Sequence, residues 1–174
     1  MKKMLLALGV LMALLLGGCQ QPSVSGMNQQ QLEEIIKSLS KESKGDDGYV
    51  AFIYQGVEMH LISDVVHNRM RIVSPIVQYE KLSTEQIDAI MEANFHSSLD
   101  GRYAVSDGLL YAAFIHPLEE LSEWEIESGV YQVANLVRTF GTSYSSGGLE
   151  FGGGRSKPGD KSLASQFDDG ESSI

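Results

Sequence analysis

A chain of 174 residues is long enough for one domain with extensions, and its formal charge of −10 limits what it can bind. Acidity of this size argues against nucleic acid, whose phosphates demand a basic patch, and against broad electrostatic contact with anionic lipid headgroups. The single cysteine, Cys19, has no second thiol with which to form an intrachain disulfide.

Residues 1–18 read as a signal peptide. Lys2 and Lys3 form the positive n-region, and the apolar run from Leu5 to Leu16 is too short for a stable span. The run ends Leu16-Gly17-Gly18-Cys19, which resembles the lipobox of bacterial lipoproteins. That resemblance implies that Cys19 is lipidated with palmitate-type acyl chains and becomes the new N-terminus. The next residue is Gln20 and not Asp, which resembles outer-membrane lipoproteins and implies a domain facing the periplasm. Several acyl chains give stable anchoring at about 0.8 kcal/mol per buried CH₂. Removing residues 1–18 from the 174 leaves 156 residues and a charge near −12, because Lys2 and Lys3 go with them. With Cys19 acylated, no thiolate is left for a nucleophile, a redox pair or a Cys-ligated zinc.

Residues 19–26 are a short polar tether. Met27–Ser40 is predicted helical, with Leu32, Ile35, Ile36 and Leu39 on one stripe. Lys41–Gly48 reads as a polar break. Tyr49–Tyr54 is a strand, Gln55-Gly56 a turn, and Val57, Met59 and Leu61 alternate with Glu58 and His60 in a half-exposed strand. Asp64–Asn68 turns the chain into a third strand, Met70–Val77, where Pro75 signals an edge or a bulge. Ser83-Thr84-Glu85-Gln86 is a capping box opening a helix whose apolar face is Ile87, Ile90, Met91 and Phe95. Asn94 near its end is expected to bond loop backbone. Asp100-Gly101 and Asp107-Gly108 are turn signals around the strand Arg102–Ser106 and before the strand Leu109–His116. The latter is apolar on both faces and so demands cover on both. Ser122-Glu123-Trp124-Glu125 is a second capping box, and Ile126, Val130, Val133, Val137 and Phe140 recur at helical spacing up to Gly141. Residues 148–174 are rich in Gly and Ser and are expected to be disordered.

The element order α-β-β-β-α-β-β-α with one-sided helices predicts an α+β fold, an antiparallel sheet with the helices packed on one face, over residues 27–147. This order resembles the type III secretion chaperone-like fold. Asn94-Phe95, Asp100-Gly101-Arg102-Tyr103, Phe114-Ile115-His116-Pro117-Leu118 and the run from Phe140 to Gly147 are similar to the bacterial YbjN-type branch. The resemblance covers about Gln29 to Phe151. It implies a homodimer that binds an extended segment of a client protein, without cofactor or turnover. The export signal departs from the cytoplasmic secretion chaperones, so their effector role does not carry over.

Candidate chemistry is sparse. His60, His67, His96 and His116 lack metal-ligand spacing. No Gly-x-Ser-x-Gly elbow is present, and Gly152-Gly153-Gly154-Arg155-Ser156-Lys157 lacks the flanking pattern of a phosphate loop. Asp100 and Asp107 have a sufficient reason in their turns. Aromatic residues are more suggestive: Tyr103, Tyr111, Phe114, His116 and Trp124 form a candidate interface. The expected function is a non-enzymatic, lipid-anchored envelope protein that binds a protein or peptide, as a homodimer, with no metal and no cofactor. The alternative is a sensor with a small ligand between sheet and helices.

Overall fold

The computed structural model describes residues 26–147. The signal peptide, the tether up to residue 25 and the tail from residue 148 lie outside the described residues.

Three helices begin at capping boxes. Helix α1, Gln29–Leu39, starts at Asn28, whose side chain accepts the Gln31 N–H while the Gln31 side chain accepts the Asn28 N–H. Helix α2, Thr84–His96, has the same reciprocal pair in Ser83 and Gln86. Helix α3, Glu123–Thr139, has it in Ser122 and Glu125. Each box satisfies two of the amide donors that a helix start leaves unpaired. Gly141, with φ 78°, follows the end of α3 in the left-handed conformation that glycine adopts without strain.

The strands are β1 Glu42–Asp46, β2 Tyr49–Tyr54, β3 Val57–Asp64, β4 Arg69–Gln78, β5 Arg102–Ser106 and β6 Leu109–His116. Among the described residues they form one antiparallel sheet in the order β1-β2-β3-β4-β6-β5. The expected break at Lys41–Gly48 is corrected: it contains β1, paired from Glu42↔Ile53 to Asp46↔Tyr49. A fully exposed edge strand of sequence Glu-Ser-Lys-Gly-Asp carries no apolar alternation, so period-2 reading misses it. The turn Asp47-Gly48 was the available signal, since both residues have positive φ, as in the tight hairpins at Gln55-Gly56 and Asp107-Gly108. Pro75 falls at a register shift between Pro75 and Val77, the bulge that frees a proline from its ladder duty.

Alternation along the strands sends one set of side chains toward the helices. Val50, Phe52, Met59, Leu61, Met70, Ile72, Leu110, Ala112 and Phe114 are all buried, together with Leu32 and Ile36 of α1 and Ile126, Val130, Val133 and Leu136 of α3. Helix α3 lies over β4 and β6, and α1 over β1 to β3. Gly129 permits the close approach of α3 to the sheet, because a Cβ there would meet the Phe114 ring at 2.7 Å. Buried Glu33 ties α1 to the β1–β2 turn by accepting the Gly48 N–H at 2.8 Å, with Lys37 at 3.7 Å as counter-ion.

Helix α2 is rotated relative to expectation. Ile90 and Ala93 face inward, whereas Met91 and Phe95 are exposed. The cause is Asn94. Its Nδ2 donates to the Tyr103 carbonyl at 3.0 Å, and its Oδ1 accepts the Tyr103 N–H at 2.8 Å. Docking that amide on β5 turns the Ile90–Ala93–Asn94 side of α2 toward the sheet and leaves Met91 and Phe95 outside.

Candidate functional site

The residues from Asp100 to Tyr103 are held by one buried side chain, Gln132 of α3. Its Oε1 accepts the N–H groups of both Asp100 and Gly101 at 2.8 Å. Its Nε2 donates to Asp100 Oδ2 at 3.2 Å and to Ser128 Oγ at 3.0 Å. Gly101 is needed for space and not for φ: a Cβ there would lie 3.1 Å from Leu136 and 3.4 Å from Gln132. Arg102 does not pair with Asp100; its guanidinium donates to the carbonyls of Leu99 and Gly101 at 2.7 Å. Tyr103 donates to the Leu136 carbonyl at 2.8 Å and packs edge-on against Phe140 and Tyr144. Burial pushes its phenol well above the ordinary value of 10.0. The segment after α3 closes over this region. Ser146 N–H donates to the Ser97 carbonyl, and Ser146 Oγ accepts the Leu99 N–H.

Strand β5 pairs with β6 only from Leu109 to Ala113, so beyond Ala113 the side of β6 away from β4 has no strand beside it. A cleft of about 330 Å³ opens there, walled by Phe114, His116, Asp100, Arg102, Trp124 and Glu125. Three of the five candidate interface residues meet in it. Trp124 forms its rim, 71% exposed. Phe114 and His116 stack at 6.0 Å with their planes 6° apart, but Phe114 is 4% exposed and serves the core. His116 Nδ1 donates to the Pro117 carbonyl at 2.8 Å. Tyr103, 5% exposed, is a core residue and not part of any surface. Tyr111 lies on the opposite face of the sheet. The polar groups of the cleft are committed to structure: Asp100 to Gln132, Arg102 to carbonyls, Glu125 to the Ser122 cap.

The face of the sheet away from the helices is the second feature. Strand register places Asp46, Tyr49, Ile62, Arg71 and Ile115 in one row across it. The next row is Lys44, Ala51, His60, Val73, Ala113 and Arg102. Tyr111 and Pro75 face each other beside them. Tyr49, Ile53, Ile62 and Ile115 are exposed here, Ile115 by 58%. Tyr49 is fixed by its hydroxyl on His60 Nδ1 at 2.8 Å. Arg71 stands between Ile62 and Ile115, and among the described residues it makes no ion pair. Sequence reasoning missed Tyr49, Ile62 and Arg71. The two-faced apolar pattern of β2 and β6 was the signal, but which face the helices cover is a property of the whole sheet.

The four histidines stay apart, and among the described residues no three His, Cys, Asp or Glu converge. The alternative of a small ligand between sheet and helices meets a layer filled by Phe52, Met59, Met70, Leu110, Ile126 and Leu136.

No family model matches the chain, and no curated protein does either. Among solved structures, the chain is similar to one in the HopA1–SchA chaperone–effector complex, at 16% identity over 63% of this chain and 88% of that one, with a TM-score of 0.49. It is similar to a chain of the ExsC–ExsE complex at 11% identity, covering 66% of this chain and 96% of that one, TM-score 0.49. It is also similar to a chain of the Yersinia pestis type III secretion chaperone SycH with a fragment of YscM2, at 18% identity, 64% and 98% coverage and a TM-score of 0.48.

Proposed function

We propose that this chain is a non-enzymatic, lipid-anchored envelope protein that binds an extended protein segment on the open face of its sheet. The observation that carries the reading is that face: Tyr49, Ile53, Ile62 and Ile115 are exposed on it, Val73 and Tyr111 are half-buried beside them, and Arg71 stands between Ile62 and Ile115 without an ion pair among the described residues. A solvated antiparallel sheet face is normally polar, and an apolar one rimmed by charge is a binding surface. The fitting segment is apolar with a carboxylate among its apolar residues, to meet Arg71. A non-enzymatic role is supported by the cleft, whose carboxylates and guanidinium are bound up in caps and backbone contacts. Lipid anchoring is supported by Leu16-Gly17-Gly18-Cys19, and Gln20 after the cysteine supports an outer-membrane anchor with the domain facing the periplasm.

Self-association fits a different surface, the Met91 and Phe95 stripe of α2, which leaves the open face free for the partner.

A photoreactive residue in place of Ile62, in cells expressing the full chain, tests the binding surface. Covalent adducts at position 62, absent when the same residue replaces Arg138 beyond the helix layer, are the expected result. Absence of adducts at position 62, with the protein verified in the envelope, overturns the reading.

A further inference from the structure

Val65 and Val66 form the tip of the β3–β4 turn, and Val66 is 85% exposed, the most exposed large apolar side chain among the described residues. The turn is stiff. Asp64 Oδ1 accepts the N–H groups of Val66 and His67 at 3.0 Å, and Asp64 Oδ2 holds His67 Nδ1 at 2.7 Å. At its far side Asn68, with φ 48°, accepts the Leu118 N–H on its carbonyl and the Glu119 N–H on Oδ1. Two valines are thus displayed to solvent by a turn built to hold them there.

The described chain enters at the same place. Met27 N–H donates to the Glu119 carbonyl at 3.1 Å, and Glu119 is the residue bonded to Asn68 at 2.8 Å. Gly26 therefore leaves the domain two hydrogen bonds from the valine turn. Cys19 is seven residues further back. Seven residues span at most about 25 Å, so an acylated Cys19 would keep this end of the molecule close to the bilayer.

We propose that the Val65-Val66 tip is a membrane contact, inserting into the lipid surface beside the acyl anchor and so fixing how the domain stands on the membrane. The inference rests on the lipid anchoring proposed above. Exposed Glu119 and Glu120 flank the tip, so it suits a zwitterionic surface better than an anionic one. Orientation follows: the turns Gln55-Gly56 and Asp107-Gly108 lie at the opposite end of the strands and point away from the membrane, and the open sheet face stands upright, accessible from the side.

The test uses the full lipidated chain in phosphatidylcholine vesicles carrying brominated acyl chains. A fluorophore is placed on V66C in one preparation and on S106C in another; acylated Cys19 does not label. Several-fold stronger quenching at position 66 than at 106, weakened when phosphatidylglycerol is added, is expected. Equal quenching at both positions, or none at 66, overturns the contact while leaving the anchor intact. Quenching-independent spectral shifts at 66 that grow with protein concentration without vesicles assign the tip to a second copy and also overturn it. The mass of the N-terminal peptide is read in parallel: lack of acyl chains on Cys19 removes the anchor itself, and the contact with it.

Discussion

Gln132 shows how one side chain substitutes for a missing strand partner. Its amide oxygen takes two backbone donors at the start of β5, and its amide nitrogen closes on Asp100 and Ser128. The Gln132→Ala variant leaves the buried Gly101 N–H without an acceptor, and a loss of about 1–3 kcal/mol in urea unfolding is expected. The Gly129→Ala variant, whose added Cβ meets the Phe114 ring, is expected to lose about 1–3 kcal/mol by overpacking. Acid sensitivity also resides in single groups. Hydrogen bonds from His67 hold the Asp64 carboxyl below its ordinary value of 3.8, and those from Ser122 hold Glu125 below 4.5. A carboxyl depressed in the folded state stabilises it above the unfolded pKa, and that contribution is lost as pH falls through the folded value. The midpoint of thermal unfolding should therefore drop below about pH 4, and the deficit of D64N or E125Q relative to the parent, present near neutrality, should vanish in acid.

At the level of elements, the capping boxes at Ser83 and Ser122 and the alternation of Leu109–His116 were legible because each is a local pattern that the backbone obeys locally. Strand β1 was not: its stability comes from pairing with β2 and from the Asp47-Gly48 turn, and its own side chains bury nothing. The face of α2 was misread for a related reason. Ile87, Ile90, Met91 and Phe95 fit a helical stripe, but the Asn94 amide on Tyr103 sets the rotation of the helix. Of the candidate interface residues, Trp124 and Tyr111 lie on surfaces, while Tyr103 and Phe114 went to the core, because aromatic type alone does not distinguish packing from display. The exposed stripe has its own consequence. M91E/F95E should convert a sedimenting dimer to a monomer at micromolar concentration without lowering thermal stability, and a parent that already sediments as a monomer refutes self-association through α2.

For the whole molecule, the decisive asymmetry is that the helices cover one side of a sheet whose other side exposes Tyr49, Ile53, Ile62 and Ile115 among charged residues. With the photoreactive residue placed instead at Tyr49 on the same row, I62E/I115E should abolish the photo-adducts of the partner and leave the unfolding midpoint nearly unchanged, since neither side chain is in the core. R71E should weaken the adducts less than the double variant if apolar burial dominates. A greater loss in R71E would mark the partner's carboxylate as the main determinant.

The Asn94 amide on Tyr103 has a further effect. An asparagine side chain carries an amide N–H and an amide C=O side by side, as a peptide unit does, and here that pair occupies the backbone groups that β5 turns outward. It acts as an end-stop one residue long, so that a seventh strand cannot zip onto this border. At the opposite border, β1 presents Glu42, Lys44 and Asp46, whose hydration must be lost before any chain can join. With both borders discouraged, a protein that keeps an apolar sheet face open can remain dispersed at high local concentration, where lateral growth into fibrils would otherwise compete with recognition.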